Sequence, residues 1–212
     1  MYTELACLNH LTFNEVLKDV WEAIRLGIHG ISVPMVFLAK VANVVPDNIV
    51  LSCPIDYPLG CSDTSLRNHA ILSAIHNKVT AIDLVAQLIY LVDGDIIKFT
   101  NDLSSAKTIC DNNNVDLRVI IDYKRIDMSL FIESCVALNI LGIEYGFAAT
   151  GLGIEDYEDN ILLCYQMQYE YGIRSIANGN IYLPNHYQTA RDSKIFGIRW
   201  NTLSSFKRCI GV

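Results

Sequence analysis

Short apolar runs recur along this chain, separated by polar or glycine-bearing breaks. They cover Leu5–Asn9, Gly30–Val33, Ile49–Ile55, Ala81–Gln87, Leu117–Tyr123, Ile143–Ala149, Arg174–Ala177 and Gly197–Trp200. Most are continuously apolar rather than alternating, the pattern of strands covered on both faces. Segments of helical period lie between them. Asn14–Leu26 follows Thr12, whose hydroxyl can cap the helix while Glu15 returns the bond. Ser62–Asn77 begins where Ser62 or Asp63 can cap. Met128–Leu141 follows Asp127 and stops at Gly142, and Glu155–Tyr171 stops at Gly172 in the same way.

Strands of this kind, each followed by a helix or a long loop, build a parallel sheet wrapped in helices. The sheet is either doubly wound and open or closed into an α/β (β/α)8 TIM barrel. No G-x-G-x-x-G follows an early strand, and Gly151-Leu152-Gly153 comes late without a third glycine. The barrel is therefore the expected fold. No linker-like break or internal repeat divides residues 1–212, which are expected to form one barrel domain.

Composition narrows the function classes. At 51% apolar and 18% charged residues the chain has the make-up of a packed globular protein. A formal charge of −7 argues against a nucleic-acid partner. No apolar run approaches a membrane span and no signal-like segment opens the sequence, so a soluble cytoplasmic protein without a membrane partner is expected. Seven cysteines and five histidines are scattered without C-x-x-C or H-E-x-x-H spacing. Neither a disulfide framework nor a metal site is expected, and no cofactor is.

Ordered pieces of the chain resemble the deoxyribose-phosphate aldolase family. Residues 56–95 contain Pro58-Leu59-Gly60, Ile82-Asp83-Leu84-Val85 and Gly94-Asp95, similar in spacing to the family's G-F-P-x-G turn, E-I-D-M-V strand and later Gly-Asp. Leu117–Asp122 looks like its K-V-I-I-E strand, Gly142–Gly151 like its G-A-D-F-V-K-T-S-T-G, residues 176–181 like its K-A-S-G-G-I, and Leu8–Leu11 like its opening I-D-H-T-L. The similarity covers nearly the whole chain, in order. It implies a class I aldolase barrel, in which a lysine on strand six forms a Schiff base with the substrate aldehyde. A strand-seven lysine perturbs its pKa, a strand-four aspartate helps relay protons, and glycines with the final strand-to-helix turn hold the phosphate. Family members commonly form dimers or larger assemblies, so a homo-oligomer is also implied.

Carried onto this chain, the two lysines fall on Phe147 and Ile176, and no lysine lies between Arg125 and Lys194. An iminium needs a primary amine, which neither side chain supplies. The first-strand aspartate becomes Asn9. Asp83 matches the strand-four aspartate, and Arg118 stands on the neighbouring strand where the family has lysine. An Asp83–Arg118 pair inside the barrel is expected, either fixing strand register or anchoring a ligand. Thr150, Gly151, Gly179, Asn180, Arg199 and Asn201 occupy the phosphate-holding positions, with Asn180 replacing a glycine and Arg199-Trp200-Asn201 replacing G-T-S.

Lys124 is the remaining candidate amine. Counted by twos from Arg118 it falls on the inward set of its strand, although "YKRID" reads equally well as an exposed loop entry. Cys61 stands at a helix start without an adjacent histidine. Phe147, Tyr145 and Tyr123 are expected to fill the barrel mouth rather than to stack on a ligand, and Trp200 either joins them there or packs in the core. The leading expectation is an aldolase-like barrel that has lost Schiff-base chemistry and serves binding or assembly. The alternative is a lyase of altered mechanism acting on a small phosphorylated carbonyl compound, through Lys124 or through Asp83 and Arg118.

Overall fold

A computed structural model describes residues 1–153 and 156–212. Eight parallel strands close into a barrel in sequence order. They are β1 (Tyr2–Ala6), β2 (Gly30–Ser32), β3 (Val50–Ile55), β4 (Ala81–Val85), β5 (Asp116–Ile120), β6 (Tyr145–Phe147), β7 (Arg174–Asn178) and β8 (Gly197–Trp200). Around them run α1 (Phe13–Arg25), α2 (Met35–Val41), α3 (Thr64–His76), α4 (Leu88–Val92), α5 (Ile96–Asn112), α6 (Met128–Ile140), α7 (Tyr157–Tyr171), α8 (Pro184–Asp192) and α9 (Leu203–Ile210). This is the (β/α)8 TIM barrel that the run pattern predicts.

The local signals work as their chemistry requires. Thr12 and Glu15 form the reciprocal capping box of α1, with Glu15 N to Thr12 Oγ1 at 3.3 Å and Thr12 N to Glu15 Oε2 at 3.0 Å. Asp63 caps α3 through Ser65 N, Asp127 caps α6 through Leu130 N, and Gly172 ends α7 in the left-handed conformation. The expected helix Glu155–Tyr171 has its first residue outside the described set.

Several boundaries differ from the expected ones. β1 lies at Tyr2–Ala6 rather than Leu5–Asn9, because Asn9, His10 and Leu11 form the turn into the Thr12 cap. β5 stops at Ile120, and Tyr123–Arg125 form a 3-10 turn, which ends the alternation that would have aimed Lys124 inward. Gln87 stands just before α4 instead of extending β4, and its side chain donates to the Ser62 carbonyl at 2.6 Å.

Two apolar regions result. The larger fills the layer between strands and helices and includes Leu5, Ile31, Ile82, Phe99, Phe131 and Trp200. Trp200 faces this layer, 5.7 Å from the ring of Tyr187 and 5.1 Å from that of Phe206, so it takes no part in closing the mouth. Gly146 lets α7 seat directly on β6, since a Cβ there would come within 2.6 Å of the Met167 methyl. The smaller region, Val85, Ile120, Phe147 and Ile176, lies inside the barrel.

Candidate functional site

Strand register decides which side chains share the barrel interior. Glu4 pairs with Arg199, Asp83 with Arg118, and Ile120 with Phe147 across neighbouring strands. Paired residues of parallel strands point to the same face, and every second residue follows them. Three levels result along the axis, aromatic at the amino end, ionic in the middle and apolar at the carboxyl end.

At the amino end Tyr2 and Phe196 stack at 5.3 Å, and Tyr145 meets Phe196 edge-on at 5.5 Å. Tyr145 therefore closes the end opposite to the mouth it was expected to fill. Gly30 makes room there, because any Cβ would collide with the Tyr2 hydroxyl.

The middle level is a four-membered ionic cluster cut off from water. Arg118 donates from Nε to Asp83 Oδ1 at 2.6 Å and from Nη1 to Glu4 Oε2 at 2.7 Å. Arg199 donates from Nε to Glu4 Oε1 at 2.6 Å and from Nη2 to Asp83 Oδ2 at 2.5 Å. Ser32 and Ser52 donate to Asp83 Oδ2 at 3.2 and 2.9 Å, and the Tyr2 hydroxyl donates to Glu4 Oε2. Two carboxylates and two guanidiniums balance, and all four side chains are buried. Burial alone would push the Asp83 carboxyl upward, but Arg118 and Arg199 outweigh it and hold the group below the ordinary carboxylate range. Burial works against the Arg118 charge too, and Asp83 and Glu4 overcome it, leaving Arg118 more firmly protonated than a free arginine.

Above this cluster lies Phe147. The Arg199 guanidinium carbon sits 4.1 Å from its ring centroid, and that of Arg118 at 5.4 Å, a double cation–π contact inside a sealed space. Ile176, Val85 and Ile120 complete the apolar level, and Tyr57 packs over it. The Tyr57 hydroxyl donates to the Thr150 carbonyl at 3.1 Å, and Asn178 Nδ2 donates to the same oxygen at 2.6 Å. The mouth is closed by Phe147 and Tyr57.

The remaining candidate positions disperse. Lys124 is exposed, its amine 4.9 Å from the ring centroid of Tyr123, and no lysine is buried among the described residues. Arg199, expected at the phosphate cradle, is instead committed to the central cluster. Asn201 donates to the Gly151 carbonyl at 2.7 Å and so ties two loops together. Asn180 takes a left-handed backbone, with φ of 53°, and its side-chain oxygen accepts from the Tyr182 hydroxyl. The space bounded by Gly179, Asn180, Arg199 and Asn201 has a volume of about 10 Å³, room for a single water at most. A larger cleft of about 230 Å³, lined by Asn9, Tyr57, Gly151, Tyr182 and Asn201, opens beside it.

Burial pushes the thiols of Cys7, Cys53, Cys110, Cys135 and Cys164 up to about 12, which leaves them protonated and inert. Cys61 is exposed. Among the described residues no three metal-ligating side chains converge, and no helix is long and apolar enough to cross a membrane.

Glu4 is the functional-looking residue that sequence reasoning missed. Its signal was present, a carboxylate inside the apolar run Tyr2–Ala6, but a first strand placed at Leu5–Asn9 left it outside.

No family model matches the chain. A deoxyribose-phosphate aldolase from Streptococcus pyogenes serotype M28 (strain MGAS6180) is 24% identical over 152 residues, covering 69% of this chain and 67% of that protein. The solved structure described as QR15, an aldolase, superposes with a TM-score of 0.88 at 17% identity, over 99% of this chain and 93% of its own. Deoxyribose phosphate aldolase from Aeropyrum pernix, described as a tetramer, gives 0.85 at 16% identity, over 99% and 88%. The chain resembles deoxyribose-phosphate aldolases, at the low identity of a divergent relative, and it shares their fold.

Proposed function

We propose that this barrel has given up imine chemistry and serves as a binding or assembly module on an aldolase scaffold. The observation that carries the reading is Phe147, packed on the Arg199 guanidinium at 4.1 Å where the resemblance places the Schiff-base lysine. A substrate carbonyl would need an amine there and a path to it. The position offers neither, because Phe147 and Ile176 are fully buried beneath Tyr57. The retained aspartate does not compensate, since both Asp83 oxygens are already held by arginine and serine donors.

A lyase of altered mechanism gains less support. Asp83 and Arg118 are sealed from any substrate, and Lys124 lies outside the barrel with its amine in solvent. Of the expected phosphate-holding positions, Gly179, Asn180 and Arg199 bound a space of about 10 Å³, too small for a phosphoryl group, whereas Gly151 and Asn201 line the larger cleft of about 230 Å³.

Borohydride reduction in the presence of acetaldehyde or 2-deoxyribose 5-phosphate tests the reading. Intact-mass and peptide spectra should show no site-specific lysine adduct, with only the sparse uniform labelling of surface amines. An adduct concentrated on Lys124 would move the protein back among lyases and revive the altered mechanism.

A further inference from the structure

We infer that a trough on the carboxyl rim of the barrel binds a small aromatic monocarboxylate, outside the sealed interior. The inference rests on the binding reading above and gives it a site and a ligand class. The cleft of about 230 Å³ beside Tyr57 and Tyr182 shares Asn9, Asn201 and Thr202 with a second hollow of about 420 Å³. With that common wall the two form one trough, of the size that small-molecule sites have. Its lining comes from the segments that follow β1, β3, β6, β7 and β8, at the end of a barrel where loops carry binding groups.

The smaller hollow suits a flat apolar body. Leu8, Tyr57, Leu152 and Tyr182 line it, and Leu152 is 60% exposed. Both tyrosine hydroxyls are tied down, Tyr57 to the Thr150 carbonyl and Tyr182 to Asn180 Oδ1 at 2.7 Å. The rings are thus set before a ligand arrives, and little ordering is left to oppose binding. Such rings recognise another ring by offset stacking or edge contact. Polar groups stand where the two hollows join. Asn201 Nδ2 is spent on the Gly151 carbonyl, whereas its Oδ1 and the Asn9 amide have no partner among the described residues. The larger hollow selects the charge. Glu15 accepts from the Leu11 and Thr12 amides, and Asp19 faces His10 Nε2 at 3.0 Å. Lys18 is left as the charged side chain there without a partner among the described residues. A single carboxylate pairs with that ammonium. A phosphoryl dianion would keep a second charge facing Glu15 and Asp19, which opposes it.

3-Phenylpropanoate is the probe, titrated into the isotope-labelled full chain and followed by amide chemical shifts. It should give saturable shifts at Asn9, Gly151 and Asn201, with a dissociation constant of about 1 mM or below. Lys18→Gln should weaken binding about threefold, the worth of one exposed ion pair, and Tyr182→Ala about fivefold. Both side chains are exposed, so far-UV circular dichroism should stay as in the wild type. The uncharged 3-phenylpropanamide should bind the wild type and the Lys18 variant equally. Absence of saturable shifts up to about 10 mM overturns the inference. So does phenyl phosphate binding more tightly than the carboxylate, or one affinity shared by the wild type and both variants. Borohydride trapping reports on the interior separately. An adduct there would refute the loss of imine chemistry and leave these shifts in place.

Discussion

Phe147→Lys is expected to destabilise the protein by about 4 kcal/mol or more and still to give no trapped imine. The new ammonium would stand about 5 Å from two guanidiniums, and each like-charge contact at that separation costs about 3 kcal/mol at an effective dielectric constant of 20. No carboxylate is available to answer it, because Glu4 and Asp83 are already engaged with both arginines. The side chain would therefore shed its proton and remain as a buried neutral amine. Deprotonation is what an imine-forming lysine needs, so the failure to react would come from access. Tyr57 and Ile176 would still cover the position. Urea denaturation measures the first effect, and borohydride trapping with acetaldehyde measures the second. A stable variant that traps the aldehyde at residue 147 would show that substrate reaches the interior, against the closed mouth seen here.

Asp83→Asn is the second large effect, an expected loss of about 3–5 kcal/mol at neutral pH. The substitution keeps the shape of the side chain but leaves Arg118 and Arg199 facing Glu4 alone, an excess positive charge in a sealed space. The same residue sets an acid limit. Its folded pKa lies below the ordinary carboxylate value, so the unfolded chain holds the proton more tightly. The Asp83 contribution is then complete above the unfolded pKa of about 3.9 and is lost as pH falls through the lower, folded value. Wild-type stability should therefore drop steeply below about pH 4, and the Asn variant should lack that part of the drop. Urea midpoints at a series of pH values, compared between the two proteins, check the sign. Parallel acid limbs in wild type and variant would mean that Asp83 is not held in the ion cluster.

These expectations describe a barrel whose interior side chains hold one another as a set. Phe147 lies over the arginines, the arginines need both carboxylates, and the serines on β2 and β3 add donors to the Asp83 oxygen that Arg199 holds. Changing one member strands the others in a medium of low polarity, where an unpaired charge is most costly.

Much of this was legible from the residues alone. Continuous apolar runs marked the eight strands, since strands covered on both faces tolerate few polar side chains, and the caps of α1, α3 and α6 followed from local hydroxyl and carboxylate chemistry. Asp83 and Arg118 could be paired because adjacent strands of strict two-residue period bring matching positions together. That Phe147 and Ile176 themselves supply no amine is also plain from the residues, because no environment gives a hydrocarbon side chain a nucleophilic nitrogen.

The partners of that pair were left to the closed barrel. β1 and β8 are joined only when the sheet meets itself, and that contact, between residues 195 positions apart, brings Glu4 against Arg199. A motif position marks a residue as near a strand end without saying which way it points. Arg199 therefore read as a phosphate ligand until register turned it inward, and Lys124 read as inward until a 3-10 turn carried it away. Local chemistry chose the strands and the caps; the closure of the sheet chose which charges would meet out of reach of water.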